Sequence, residues 1–282
     1  MRTARRRLGG FGVGTLVAAA LVAVFPARPA IAVPAWAPTG TATIHPGVQV
    51  QSSAGQCTAN FVFFDSDDVF LGQAAHCTST GGPTDVNGCQ ASSLPLGSPI
   101  TVTGASQPGS LAYNSWLAMG QRGETDPNAC AYNDFALVRI DPVDWSRVNP
   151  SVPHWGGPVG LGSGGVPAGQ RVYSYGNSSL RLGLTVLSPK TGLSLGNTGG
   201  GWSTNVYTVT PGIPGDSGSA FLDRSGRAMG VLSTVQLAPL VGANGVGNLA
   251  LELAYLNAGS ADPVQLAAGT QPFTPNRLPI GL

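Results

Sequence analysis

From Gly47 onward the chain is cut into short β-branched or aromatic runs, each closed by a cluster of Gly, Pro, Asn or Asp. That punctuation restricts it to many short antiparallel strands. The runs 61–64, 69–71, 135–140, 171–175, 182–187 and 229–235 are expected to be strands. With 41 glycines and 23 prolines the loops are numerous, yet 42% of the residues are apolar, enough for a folded core. Helical periodicity is almost absent until 249–256, where Asn248 offers a cap and Gly259 a stop. Four prolines within 140–158 mark the connection between two β-rich halves.

The N-terminus has a different character. Arg2, Arg5, Arg6 and Arg7 precede an apolar stretch from Gly12 to Phe25, and Ala30-Ile31-Ala32 supplies small residues for cleavage. This is the pattern of a signal peptide, and the stretch is shorter than the roughly 20 apolar residues that span a bilayer. Cleavage after Ala32 leaves 250 residues with nine basic and thirteen acidic side chains. A secreted chain with that charge is expected to bind neither nucleic acid nor, once the signal is removed, a membrane. The four cysteines, Cys57, Cys77, Cys89 and Cys130, allow three pairings. Without paired Cys-x-x-Cys spacings, and after export, disulfides are expected and no metal site. Gly160-Leu161-Gly162-Ser163-Gly164-Gly165 matches a dinucleotide fingerprint by letter but lacks the strand-loop-helix setting that gives it meaning.

Three short motifs carry the chemistry. A serine hydroxyl is a useful nucleophile only when a histidine takes its proton and a carboxylate holds that histidine's tautomer. Pro214-Gly215-Asp216-Ser217-Gly218-Ser219 sets a serine among small residues, Ala74-Ala75-His76-Cys77 supplies the base, and Asn133-Asp134-Phe135-Ala136-Leu137-Val138 supplies the carboxylate. His45 and His154 sit beside Pro46 and Trp155 in loops and have no such setting. The order His, Asp, Ser and the Ser219 that follows exclude the nucleophile elbow of α/β-hydrolases, which needs Gly-x-Ser-x-Gly and the order Ser, Asp, His.

Ala-Ala-His-Cys, Asn-Asp-Phe-Ala-Leu and Gly-Asp-Ser-Gly together resemble the motifs of the chymotrypsin-like (trypsin-fold) serine peptidases, in their bacterial secreted branch. The resemblance implies an all-β fold of two antiparallel six-stranded barrels with a short C-terminal helix. The expected divisions are 1–32 signal peptide, 33–46 N-terminal segment, 47–147 first barrel, 148–247 second barrel and 248–282 helix and tail. It further implies a Cys57–Cys77 bond beside the catalytic histidine, leaving Cys89 with Cys130. The backbone N–H groups of Gly215 and Ser217 would form the oxyanion hole, and Pro211, Gly212 and Ile213 would face Ser233, Thr234 and Val235 across the specificity pocket. Trypsin-like members have an aspartate where this chain has Pro211, and glutamyl-specific members a histidine where it has Leu232, so apolar side chains are the expected preference. No new Ile-Val terminus is available to pair with Asp216, whose partner the sequence leaves open. The expectation is a monomeric, secreted endopeptidase without cofactor, acting on protein or peptide. The competing readings are an esterase using the same triad and a catalytically silent binding module.

Overall fold

The computed structural model describes residues 33–82, 87–235 and 241–278. The expected signal peptide lies outside them. The first half holds β1 (Gln49–Ser52), β2 (Gly55–Thr58), β3 (Val62–Phe64), β4 (Val69–Gln73), β5 (Pro99–Val102), β6 (Gly109–Asn114), α1 (Ser115–Arg122), α2 (Pro127–Tyr132) and β7 (Ala136–Arg139). The second holds β8 (Arg171–Tyr175), β9 (Pro189–Thr198), β10 (Ser203–Thr208), β11 (Ala220–Asp223), β12 (Ala228–Val235), β13 (Asn244–Asn248), α3 (Leu249–Asn257) and β14 (Gln265–Leu266).

In the first half the strands run in the order β14-β3-β4-β7-β6-β5-β1-β2. Only Ala59 to Phe61 separate β2 from β3, so these two are halves of one bent segment and the sheet returns on itself through six strand segments, with β14 added outside. Within it Phe61, Phe63, Leu71, Ile100, Leu111, Phe135 and Leu137 are wholly buried, and Phe63 meets Phe135 edge-on at 5.4 Å. The second half is a closed six-stranded barrel, β10-β13-β12-β11-β8-β9. Its core is Val166, Val172, Val206, Phe221, Met229, Leu232 and Val246, each side chain worth about 1.5–3 kcal/mol on burial.

Two local expectations fail. The run 182–187 is not a strand; it forms part of a loop with short 3-10 turns at Ser179–Arg181 and Thr185–Leu187. Every strand of the closed barrel already has two neighbours, so the run has no edge to join, and Leu182 is 89% exposed. The helices α1 and α2 also arise where no helical periodicity was evident. Caps make them: Asn114 Oδ1 accepts from Trp116 and Leu117 N–H, Gly123 closes α1 at φ 64°, and Asp126 with Pro127 opens α2. Helix α3 begins where expected, capped by Asn248, and packs against β12 and β13.

Beyond α3 the chain returns to the first barrel. Leu266 pairs with Phe63 in β14. The tail then runs along the connection between the barrels, where Gly157 N–H donates to Gln271 O and Thr274 N–H to Trp155 O.

Candidate active site

His76 stands in a 3-10 turn, Ala75–Thr78, at the end of the fully buried strand β4. Cys77 is bonded to Cys57, and Cys89 to Cys130. The first bond fixes the backbone next to the histidine. Cys57, His76 and Cys77 offer close potential metal ligands, but both sulfurs are consumed by the disulfide and neither is a thiolate.

Asp134 follows α2 and leads into β7. Its Oδ2 accepts from His76 Nδ1–H at 2.7 Å and its Oδ1 from His76 backbone N–H at 2.9 Å. Ser233 Oγ–H donates to the same Oδ2 at 2.5 Å. Burial alone would raise the Asp134 carboxyl, but the facing imidazole and these hydrogen bonds outweigh it and hold Asp134 below its usual value. Burial likewise opposes a charged His76, and the Asp134 charge overrides it, so the imidazole lies above its ordinary value. The pair thus favours the imidazolium that forms when the ring takes a proton. His76 Nε2 has no hydrogen-bond partner among the described residues, and the side chain is 27% exposed.

Ser217 lies between β10 and β11 in a turn that requires glycine at two places, with φ 94° at Gly215 and 87° at Gly218. A Cβ at Gly218 would come 2.5 Å from Thr58 O. The turn is joined to the first barrel: Thr58 N–H donates to Ser217 O at 2.8 Å, and Thr58 Oγ1–H and Gln56 Nε2–H donate to Gly215 O. Thr58 adjoins Cys57, so Ser217 and His76 are both referred to one disulfide. Among the described residues no hydrogen bond joins Ser217 Oγ to His76. Such bonds are often long in unliganded sites and tighten when substrate seats. The N–H groups of Gly215 and Ser217 donate to no acceptor among the described residues, whereas those of Asp216, Gly218 and Ser219 are all used. Two neighbouring donors are therefore left unpaired beside the serine.

The open question of Asp216 has a clear answer. Arg181 grips its wholly buried carboxylate with both guanidinium nitrogens, at 2.9 and 2.6 Å, and Lys190 Nζ adds a third contact at 3.1 Å. Backbone N–H groups of Ser178 and Ile213 complete its coordination. Lys190 also donates to Thr210 O and Pro211 O, each at 3.2 Å. Burial, reinforced by Arg181 and only partly offset by Asp216, pulls the lysine down to about 8.

Of the six residues expected to line a pocket, Gly212 and Thr234 are linked through one buried side chain, Asn244 of β13. Ser233 turns its hydroxyl to Asp134. Asn244 was not picked out from the sequence: its Oδ1 accepts from Gly212 N–H at 3.0 Å and its Nδ2–H donates to Thr234 O at 3.3 Å. The buried amide thus ties position 212 to position 234.

No family model and no curated protein matches the sequence. Solved structures do match. Protease A of Thermobifida fusca aligns with a TM-score of 0.51 at 18% identity, over 81% of this chain and all of that one. A glutamic acid-specific serine protease that uses a histidine triad in substrate binding aligns with a TM-score of 0.51 at 17% identity, over 79% of this chain and all of that one. The chain has the fold of the bacterial chymotrypsin-like serine proteases, as its motifs implied.

Proposed function

We propose that the mature chain, 33–282, is an exported, monomeric serine endopeptidase, with the base and carboxylate in the barrel of 47–147 and the nucleophile in that of 148–247. Ser217 Oγ attacks the peptide carbonyl carbon as its proton passes to His76 Nε2, and Asp134 holds the ring and stabilises its cation. The unpaired N–H groups of Gly215 and Ser217 receive the oxyanion, each such donor worth about 3–4 kcal/mol to the transition state. His76 then protonates the leaving amine, and water, activated by the same ring, releases the acyl group. The observation that carries this reading is the His76 ring itself: Nδ1 is fixed on a buttressed carboxylate, and Nε2 is left free.

Small to medium apolar side chains are the proposed specificity. Asp216 carries one negative charge against the two cations Arg181 and Lys190, and that buried surplus behind Pro211 opposes Arg and Lys. Lys190 spends its three donors on Asp216, Thr210 and Pro211, so it has none left for an acidic side chain. No histidine trio serves instead, since the chain has three histidines and His45 and His154 are bonded to Pro46 O and Leu278 O. The test is reaction of the purified mature protein with a serine-directed fluorophosphonate and mapping of the adduct. A single label on Ser217 is expected; labelling elsewhere, or none, overturns the reading.

A further inference from the structure

A second carboxyl group meets the backbone of Asp134. Glu252, in the first turn of α3, is completely buried. Its Oε1 accepts from the Asp134 backbone N–H at 3.4 Å, and its Oε2 has no partner among the described residues. The site is shaped for it. A Cβ at position 247 would stand 2.3 Å from Oε1, and that position is glycine.

No Lys, Arg or His pairs with Glu252 among the described residues. The groups that face it are Asp134, joined to His76, and Tyr113 of β6. Strands β12 and β13, against which α3 packs, bring no titratable side chain. On its own helix is Tyr255, and Arg122 of α1 lies over that ring at 4.6 Å and donates to Tyr255 O. An isolated carboxylate in such a place loses its hydration without return and takes up a proton instead. Two neighbouring buried carboxyls do not both ionise. Asp134 has the imidazole and three hydrogen bonds to favour its charge; Glu252 has one long contact. Burial, and then the Asp134 charge, push Glu252 well above the usual carboxyl range.

We propose that Glu252 is a positioning residue of the triad: a neutral carboxylic acid that accepts from the Asp134 backbone N–H without placing a second negative charge near His76. The role rests on the hydrolase reading above. A second anion would raise the proton affinity of His76 and keep it as imidazolium at neutral pH, where it is no base. A neutral acceptor fixes the same backbone and leaves the ring free to cycle.

The test uses the mature protein with Glu252→Gln and Glu252→Leu. In infrared difference spectra of folded wild type against E252Q at neutral pH, a protonated carboxyl C=O band is expected in the wild type and absent from the variant. In pH profiles of kcat/KM, E252Q keeps the acid limb in place and stays within about threefold of wild type, because shape and acceptor are retained. E252L, which removes the acceptor, is expected to lower kcat about tenfold or more with little change in KM, as misplaced catalytic groups do. Absence of the band overturns the proposal, as does an E252Q acid limb displaced downward, which would mean that a charge had been removed. E252L with wild-type kcat also overturns it. If E252L does not fold, the two E252Q measurements decide. A wild type inert on every substrate would overturn the hydrolase reading and the triad role together, while the infrared band would still report whether Glu252 holds its proton.

Discussion

The two barrels hold their halves of the site by different means. The first contains all four cysteines, and a disulfide adjoins His76. The second contains none and holds the turn around Ser217 with a buried carboxylate and two cations. His76 sits in an ordinary 3-10 turn whose orientation one covalent link can preserve. The turn from 211 to 219 must keep two positive-φ glycines and two unpaired N–H groups in place, an arrangement its own backbone does not favour. An anchor at its centre is bonded to 178, 181 and 190 outside the turn and to 213 within it.

The contrast can be broken at several levels. Ser217→Ala or His76→Ala should each cost about 10⁶ in turnover, since triad members act as a unit; undiminished hydrolysis by either variant removes the shared site. Asp216→Ala strands two buried cations and should destabilise the fold by about 3–5 kcal/mol in urea unfolding. Lys190→Met leaves a balanced Arg181–Asp216 pair and should be neutral or stabilising; equal damage from both variants would mean that no surplus charge is buried. Replacing Cys57 and Cys77 by alanine should cost about 2–4 kcal/mol, and should depress turnover more than loss of Cys89–Cys130, which does not adjoin the histidine.

Proton linkage sharpens the comparison. The raised His76 should place the acid limb of kcat/KM above the ordinary histidine value, with activity lost as pH falls through it. Its contribution to stability is present at lower pH and fades as pH rises through that raised value, while that of Asp134 is full above the ordinary carboxyl value and is lost as pH falls from there through its depressed value. Lys190, depressed to about 8, binds its proton less tightly folded than unfolded. Stability of the wild type relative to Lys190→Met should therefore rise with pH from about 8 toward the ordinary lysine value. In specificity, one methylene on an apolar substrate side chain should shift the free energy behind kcat/KM by about 1–3 kcal/mol. A peptide-library digest dominated by Arg, Lys, Glu or Asp would contradict the pocket as described.

His76, Asp134 and Ser217 could be singled out as candidates because each lies in a short motif, and the fold joins His76 to Asp134. The groups that support them could not. Arg181 is 35 residues from Asp216, and Glu252 is 118 from Asp134; neither has local company that marks it, and only the closed fold brings them in. The misread run 182–187 shows the same limit for secondary structure, since its pattern suits a strand but the barrel has no vacant edge. Helices α1 and α2 were announced only by Asn114, Gly123 and Asp126-Pro127, too short a span for periodicity to register.

The returning tail has a consequence for biogenesis. Leu266 pairs with Phe63, some two hundred residues away, and the chain beyond it lies along the inter-barrel connection. During vectorial synthesis residues 47–147 emerge first, and the outer edge of β3 is covered only once Gln265 and Leu266 have followed. Until then β3 presents unpaired backbone groups to any neighbouring chain.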